Sequence, residues 1–170
     1  ATKENDIGNL PLEVCETING SWGFNLKDRK HKSDKELIQY LIKAAGYGSN
    51  LLLNVGPMPN GKIQDEHLQS LKKIGKWVEK NGNTIYKTKR GPIEPTDEIA
   101  STQNGNTIYI HMLNDKKLNV LIDGFKMKFK KITYLNSNKK VSYQRTKNGI
   151  LIYLDKKEID PIDTIIKVDL

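Results

Sequence analysis

The residues best suited to chemistry in this sequence crowd into its first 25 positions. Carboxylates stand at Glu4, Glu13 and Glu16, and the run Leu-Pro-Leu-Glu-Val-Cys-Glu-Thr-Ile-Asn-Gly-Ser-Trp-Gly-Phe-Asn fills positions 10–25. A carboxylic acid kept protonated is what glycoside hydrolysis uses to hand a proton to a leaving oxygen. Trp22, set between Ser21 and Gly23 after a β-branched run, suits a loop wall on which the C–H face of a sugar stacks. The same indole would also serve as a core plug, and the residues alone leave both readings open. The histidines His31, His67 and His111 lack metal-ligand spacing and read as structural or solvated, so no metal is expected. A single cysteine, Cys15, excludes an internal disulfide. No G-x-S-x-G, P-loop or glycine-rich dinucleotide turn occurs, and no cofactor is expected. Asn19-Gly20-Ser21 matches a glycosylation sequon, which at three residues is a chance match.

The elements that must position these residues follow from periodicity. Val14 to Ile18 reads as a strand. Ser33 and Glu36 form the S-x-x-E capping box, and Leu37, Ile38, Leu41, Ile42 and Ala45 recur as one apolar stripe, predicting a helix over 33–45 stopped by Gly46 and Gly48. Asn50 to Val55 is a short solid apolar run, the pattern of a strand covered on both faces in a parallel sheet. Leu68, Leu71, Ile74 and Val78 predict a second helix over 64–81. Strand, helix, strand, helix amounts to two βα units of a parallel α/β fold. Two strands cannot complete such a sheet, so Val14, Leu51, Leu53 and Val55 are expected to lack partners and to promote association.

Near residue 95 the period changes. Residues 87–97 are charged and rich in Pro and Gly, which suits a linker. Beyond it, strands are predicted at 107–113, 118–122, 125–135, 140–144, 149–154 and 163–169. Asn114-Asp115, Asp123-Gly124 and Asn148-Gly149 serve as hairpin signals. Six short strands at this spacing imply a small antiparallel sandwich.

The chain has 170 residues and a net charge of +8. Residues 98–170 hold 13 Lys/Arg against 8 Asp/Glu, and the first 97 hold 15 against 12. The lysines alternate with apolar residues, as in Phe125-Lys126-Met127-Lys128-Phe129-Lys130, where a solvated lysine face and an apolar face share one strand. That spread argues against a phosphate track, and no nucleic-acid partner is expected. No run of apolar residues is long enough for a membrane span, and no basic start followed by an apolar run, the pattern of a signal peptide, is seen at the beginning, Ala1-Thr2-Lys3-Glu4, which lacks Met and says little of what lies upstream.

Leu12-Glu13-Val14-Cys15-Glu16-Thr17-Ile18 followed by Ser21-Trp22-Gly23-Phe24-Asn25 resembles the W-E-x-C-x-T-(I/M)…(S/T)-W-G-(Y/F) signature of the α-L-fucosidases of glycoside hydrolase family 29. The resemblance runs on in one register through Lys32-Ser33, Leu37-Ile38, Asn50 to Pro57 (Asn-Leu-Leu-Leu-Asn-Val-Gly-Pro), Asn60-Gly61, Ile74-Gly75-Lys76-Trp77 and Asn81 to Tyr86 (Asn-Gly-Asn-Thr-Ile-Tyr). Leu12 stands where the family has Trp, and Gly48-Ser49 where it has Gly-Gly.

The resemblance implies a fold: α/β followed by all-β, the last two βα units of a (β/α)8-like barrel over 1–86, a linker over 87–97 and a C-terminal antiparallel β-sandwich over 98–170. It implies a retaining hydrolase of terminal α-L-fucosyl linkages of glycans, with an Asp nucleophile upstream of the matched region. A barrel takes about 250 residues, so this chain is expected to be inactive without the rest of the barrel, from upstream sequence or a second chain. Its acid/base is expected at Glu4, in the variable loop before the signature, ahead of Glu13, which begins a strand. Trp22 is expected in the aromatic pocket around the fucose ring. The family's setting suggests a secreted, periplasmic or lysosomal location. A different class of role, a non-catalytic carbohydrate-binding or assembly module centred on residues 98–170, would call for a line of exposed aromatics, which Tyr109, Tyr134, Tyr143 and Tyr153 at mixed parity do not display.

Overall fold

A computed structural model describes residues 11–170. Strand β1 (Leu12–Thr17) leads through a loop to helix α1 (Asp34–Gly46), then to β2 (Ser49–Asn54) and helix α2 (Asp65–Asn81). β1 and β2 pair in parallel, from Leu12 opposite Ser49 to Thr17 opposite Asn54, with α1 crossing between them. Adjacent parallel strands joined by a helix are what the sequence pattern predicts.

The start of α1 is set locally. The Ser33 hydroxyl accepts from the Glu36 amide at 3.2 Å, and the Ser33 amide donates to the Glu36 carboxylate at 2.7 Å, a complete capping box. Gly48, at φ 73°, turns the chain from the end of α1 into β2. In α2 the buried face runs through His67, Ser70, Trp77 and Asn81. The expected stripe lies on its flank, with Ile74 and Val78 half-buried and Leu68 exposed. In the two-stranded sheet the exposed apolar side chains are Val14 and Leu52, while Leu51, Leu53 and Val55 are half-buried. The expectation was thus correct for Val14 and misplaced by one residue on β2, whose side chains alternate between faces.

The remaining strands are β3 (Lys89–Arg90), β4 (Ile99–Asn104), β5 (Thr107–Met112), β6 (Asn119–Asp123), β7 (Lys131–Tyr134), β8 (Ser142–Arg145), β9 (Gly149–Tyr153) and β10 (Thr164–Asp169). They form a five-stranded sheet in the order β3-β4-β5-β10-β7 and a three-stranded sheet in the order β6-β9-β8. The two sheets enclose one core, in which Ile108, Ile110 and Ile166 meet Ile122, Ile150 and Ile152. The opposite face of the five-stranded sheet, with Ala100, Tyr109, Leu113 and Ile165, packs on Ile38 and Ile42 of α1 and Trp77 of α2. On β5, within this second interface, the His111 ring lies 2.7 Å from the Asp163 carboxylate, both side chains wholly buried. Burial pushes the Asp163 carboxyl up, against the pull of His111.

Several expectations change here. β4 has no counterpart among the predicted strands, because Ile-Ala-Ser-Thr-Gln-Asn shows no alternation. Its buried hydroxyls are matched instead: Ser101 donates to the Ile93 carbonyl and Thr102 to the Thr84 carbonyl. Residues 125–130, expected as the start of a long strand, carry no ladder. Phe125, Met127 and Phe129 still turn inward and the lysines outward, so the alternation is that of an extended crossing between sheets. Of the three hairpin signals only Asn148-Gly149 closes a hairpin, β8 to β9, since Asn114-Asp115 and Asp123-Gly124 lead from one sheet to the other. Residues 87–97, expected as a linker, contain β3 and bury Gly91, Ile93 and Pro95.

Ser33→Ala removes the hydroxyl half of the capping box. The expected cost is about 1 kcal/mol, read as a fall of about 2–4 °C in the thermal midpoint by circular dichroism.

Candidate active site

Side chains and loops that follow the C-terminal ends of parallel strands are the places where such folds keep their sites. Here those ends are Thr17 and Asn54, side by side in register. The segment after β1 leaves at Ile18 and returns at Lys32, whose amide donates to the Ile18 carbonyl at 2.8 Å. A closed loop of this length is an Ω-loop.

Lys32 also closes it with its side chain. The ammonium donates to the Thr17 carbonyl at 2.8 Å, to the Glu16 carboxylate at 3.1 Å and to the Asn19 carbonyl at 3.3 Å. The Thr17 hydroxyl donates to the Asn19 carbonyl as well. Partial burial pushes the Glu16 carboxyl up, but the Thr17 amide and the Lys32 ammonium outweigh it and hold it below the ordinary value. Glu16 is therefore an ionised strut, ill suited to donate a proton.

Trp22 rides on this loop, 59% exposed. Its carbonyl accepts from the Asn54 amide side chain at 2.7 Å, which ties the loop to the end of β2. Gly56 makes this approach feasible: a Cβ there would stand 2.5 Å from the Gly23 carbonyl carbon. Farther along, Asp28 accepts from the Lys30 amide at 3.3 Å. Slight desolvation raises the Asp28 carboxyl, yet the Ser21 hydroxyl and neighbouring amides bring it below the usual range.

Glu13 is placed differently. It sits opposite Asn50 near the start of β1, exposed, four residues before Thr17. At about 3.3 Å per residue that is about 13 Å from the Trp22 end of the sheet. It lines a groove of about 920 Å³ with Leu41, Asn50, Tyr86 and Lys89, at the opposite end. Glu4 lies outside the described residues. Trp22 and Glu13, joined in the signature, are thus not brought together.

His31 and His67, read from the sequence as structural or solvated, are brought together by the fold. Their rings meet edge to face, with centroids 5.2 Å apart, at the root of the loop and the first turn of α2. His67 is 1% exposed, and among the described residues neither of its ring nitrogens has a hydrogen-bond partner; the same holds for Nε2 of His31. Burial pushes the His67 pKa down, and the neighbouring His31 adds to the effect. No spacing rule links positions 31 and 67, so only the fold reveals the pair. No group of three or more His, Cys, Asp or Glu side chains suited to a metal occurs among the described residues.

Two outcomes follow from this loop. Lys32→Met is expected to speed proteolytic cleavage within residues 19–31 severalfold while the far-ultraviolet spectrum stays unchanged. For His67, the unfolded chain takes up a proton near pH 6.5 that the folded chain resists, so folding stability rises with pH across that region. Urea unfolding between about pH 7.5 and 5 should lose stability on acidification, and His67→Phe should flatten that slope.

Comparison with known proteins points one way. The sequence profile of the family described as alpha-L-fucosidase matches residues 1–83. The tissue alpha-L-fucosidase of Bos taurus is 28% identical over 150 residues, spanning 84% of this chain and 32% of that protein. The alpha-L-fucosidase of Branchiostoma floridae is 39% identical over 82 residues, or 45% of this chain and 18% of that one. Among solved structures, alpha-L-fucosidase isoenzyme 1 from Paenibacillus thiaminolyticus superposes with a TM-score of 0.82 at 27% identity, covering 95% of this chain and 40% of that one. The Thermotoga maritima alpha-fucosidase in complex with fucose gives 0.85 at 26% identity, with 96% and 40% covered. The chain therefore spans a third or less of these curated relatives and about two fifths of the solved ones.

Proposed function

We propose that this chain, a relative of the α-L-fucosidases of glycoside hydrolase family 29, serves the retaining hydrolysis of terminal α-L-fucosyl linkages of glycans. In this reading β1-α1-β2-α2 forms the last two βα units of a (β/α)8-like barrel, and the sandwich stands behind them. The remaining barrel strands, carrying the nucleophile, come from upstream sequence or from a second chain, and without them the chain does not hydrolyse fucosides. The observation that carries the reading is a coincidence of sequence and place. The segment matching the family signature folds into a parallel strand whose C-terminal end bears the exposed Trp22 loop.

The residues divide the work as follows. Trp22 offers a flat apolar face to the fucose ring and its methyl group, while Asn54, Gly56 and Lys32 fix the loop that carries it. Glu4 donates a proton to the leaving oxygen and later takes one from water, as a retaining mechanism requires of its acid/base. Glu13, exposed at the far end of β1, is the weaker candidate. Glu16 is committed to Lys32. The exposed edges of the two-stranded sheet, with Val14 and Leu52 uncovered, suit the docking of further strands. A secreted, periplasmic or lysosomal setting fits this role, and among the described residues no helix is long and apolar enough to cross a membrane.

The test uses an enzyme in which the rest of the barrel accompanies this chain. Glu4→Ala should slow hydrolysis of natural fucosides by about 10²–10⁴-fold, the usual worth of acid–base catalysis. It should spare the first step for aryl fucosides with good leaving groups, and azide should speed turnover of the intermediate. Glu13→Ala should show a milder loss and no azide rescue. Trp22→Ala should raise KM for fucosides more than it lowers kcat. Azide rescue of Glu13→Ala with a wild-type Glu4→Ala would reverse the assignment.

A further inference from the structure

The net charge of the chain resides in one stretch. Residues 124–154 contain Lys126, Lys128, Lys130, Lys131, Lys139, Lys140, Arg145 and Lys147 and no Asp or Glu. These eight charges equal the whole net +8; elsewhere 20 Lys/Arg balance 20 Asp/Glu. The whole-domain count, with its scattered lysines, hides this concentration.

The fold then gathers the stretch. It comprises the crossing 125–130, edge strand β7, the turn that follows, edge strand β8 and strand β9. A bridge between Thr133 and Lys140 brings the margins of the two sheets together. The lysines are exposed. Lys139 pairs with Glu158 at 2.5 Å, and Lys130 donates to the Leu170 carbonyl at 2.9 Å. Lys126, Lys128, Lys131, Lys140 and Lys147 have no carboxylate partner among the described residues. Edge protection accounts for charge on strands β7 and β8 but not for its single sign, since glutamates protect an edge equally well. Like charges held together repel, so the cluster weakens the fold unless an anion meets it.

A groove of about 220 Å³ opens among them, lined by Phe129, Lys130, Lys131, Lys140 and Tyr143. This is below the range of about 300–1,000 Å³ usual for drug-sized ligands, and it suits one residue of a longer chain. Phe129 and Tyr143 meet edge to face with centroids 5.1 Å apart, and the Arg145 guanidinium lies 4.8 Å from the Phe129 centroid. The Phe129 ring is half-buried and carries the Arg145 guanidinium over it, so Tyr143 is the more open of the two rings to a ligand. Tyr143 remains 38% exposed, enough to meet the C–H face of a sugar.

We propose that this margin of the sandwich binds an anionic polysaccharide, with Tyr143 against a sugar ring and Lys130, Lys131 and Lys140 on its sulfate or carboxylate groups. The choice of a saccharide over other polyanions rests on the fucosidase reading, and Tyr143 supplies the exposed ring that a sugar would meet. Binding is accordingly measured on the full chain with polymers that carry no fucose, so that the result is independent of hydrolysis.

Titration with dextran sulfate, neutral dextran, polyphosphate and duplex DNA, each over a range of salt, decides the matter. The expected result is binding to dextran sulfate, none to neutral dextran, and at least tenfold weaker binding to polyphosphate and DNA at equal charge. Replacing Lys130, Lys131 and Lys140 by Gln should weaken dextran sulfate binding at least tenfold and lower the slope of log affinity against log salt by about 2–3. Tyr143→Leu keeps an apolar contact for Phe129 and should weaken dextran sulfate severalfold while leaving polyphosphate unaffected. Thermal unfolding of each variant verifies the fold. No binding to dextran sulfate, or binding unchanged by the triple replacement, overturns the proposal. Equal affinity for polyphosphate or DNA with an inert Tyr143→Leu overturns it in favour of a general polyanion surface.

Discussion

Ile38 and Ile42 are fully buried against Ala100, Tyr109, Leu113 and Ile165 of the five-stranded sheet, although α1 also crosses between the two parallel strands. One helix thus serves two sheets, and the placement of everything else follows from it. Burying each isoleucine contributes about 1.5–3 kcal/mol. Between them, Gln39 uses both hydrogens of its amide, donating to the Leu113 carbonyl at 2.8 Å and the Ile162 carbonyl at 2.9 Å. Lys35 to Asp115 and Lys43 to Asp97 add surface ion pairs whose contribution solvent screening keeps small. At the last turn, Gly46 lets Pro95 approach to where a Cβ would stand only 2.8 Å from its ring. The helix is locked to the sandwich along its whole length, and so the Trp22 loop is held in a fixed frame relative to the lysine-rich margin.

Legibility in the sequence tracked how local the determining physics was. α1 was readable because its cap, stripe and stop all lie within 16 residues. The parallel pairing of β1 and β2 was readable because an apolar strand, a helix and a second apolar strand leave few arrangements. β4 was not, because Ser101 and Thr102 are buried through hydroxyl bonds to Ile93 and Thr84, partners that no alternation rule reveals. The segment 125–130 misled in the reverse sense. Its alternation reports which side faces the core, whereas a strand also requires a neighbour to bond with.

At the candidate site, the Trp22 loop was readable because it follows a strand and is rich in small and polar residues. The ties that fix it were not. Lys32 returns to Glu16 across 16 positions, and Asn54 reaches Trp22 across 32. The His31–His67 contact depends on where two separate elements end. Glu13 and Trp22, neighbours in the signature, prove to belong to opposite ends of one strand system, since a strand carries each residue about 3.3 Å along its axis.

The backbone contact between Gly56 and the Gly23–Phe24 peptide bears on how mutational data on this protein would be read. A saturation scan scored by turnover would single out position 56 as strongly as an acid or a nucleophile, for every substituent adds an atom where the loop already lies. The profile would differ from a chemical one in being indifferent to the charge and polarity of the newcomer and graded by bulk alone. Intolerance at position 56 would then record the space between two peptide chains, and a design that lengthened the Trp22 loop could relieve it.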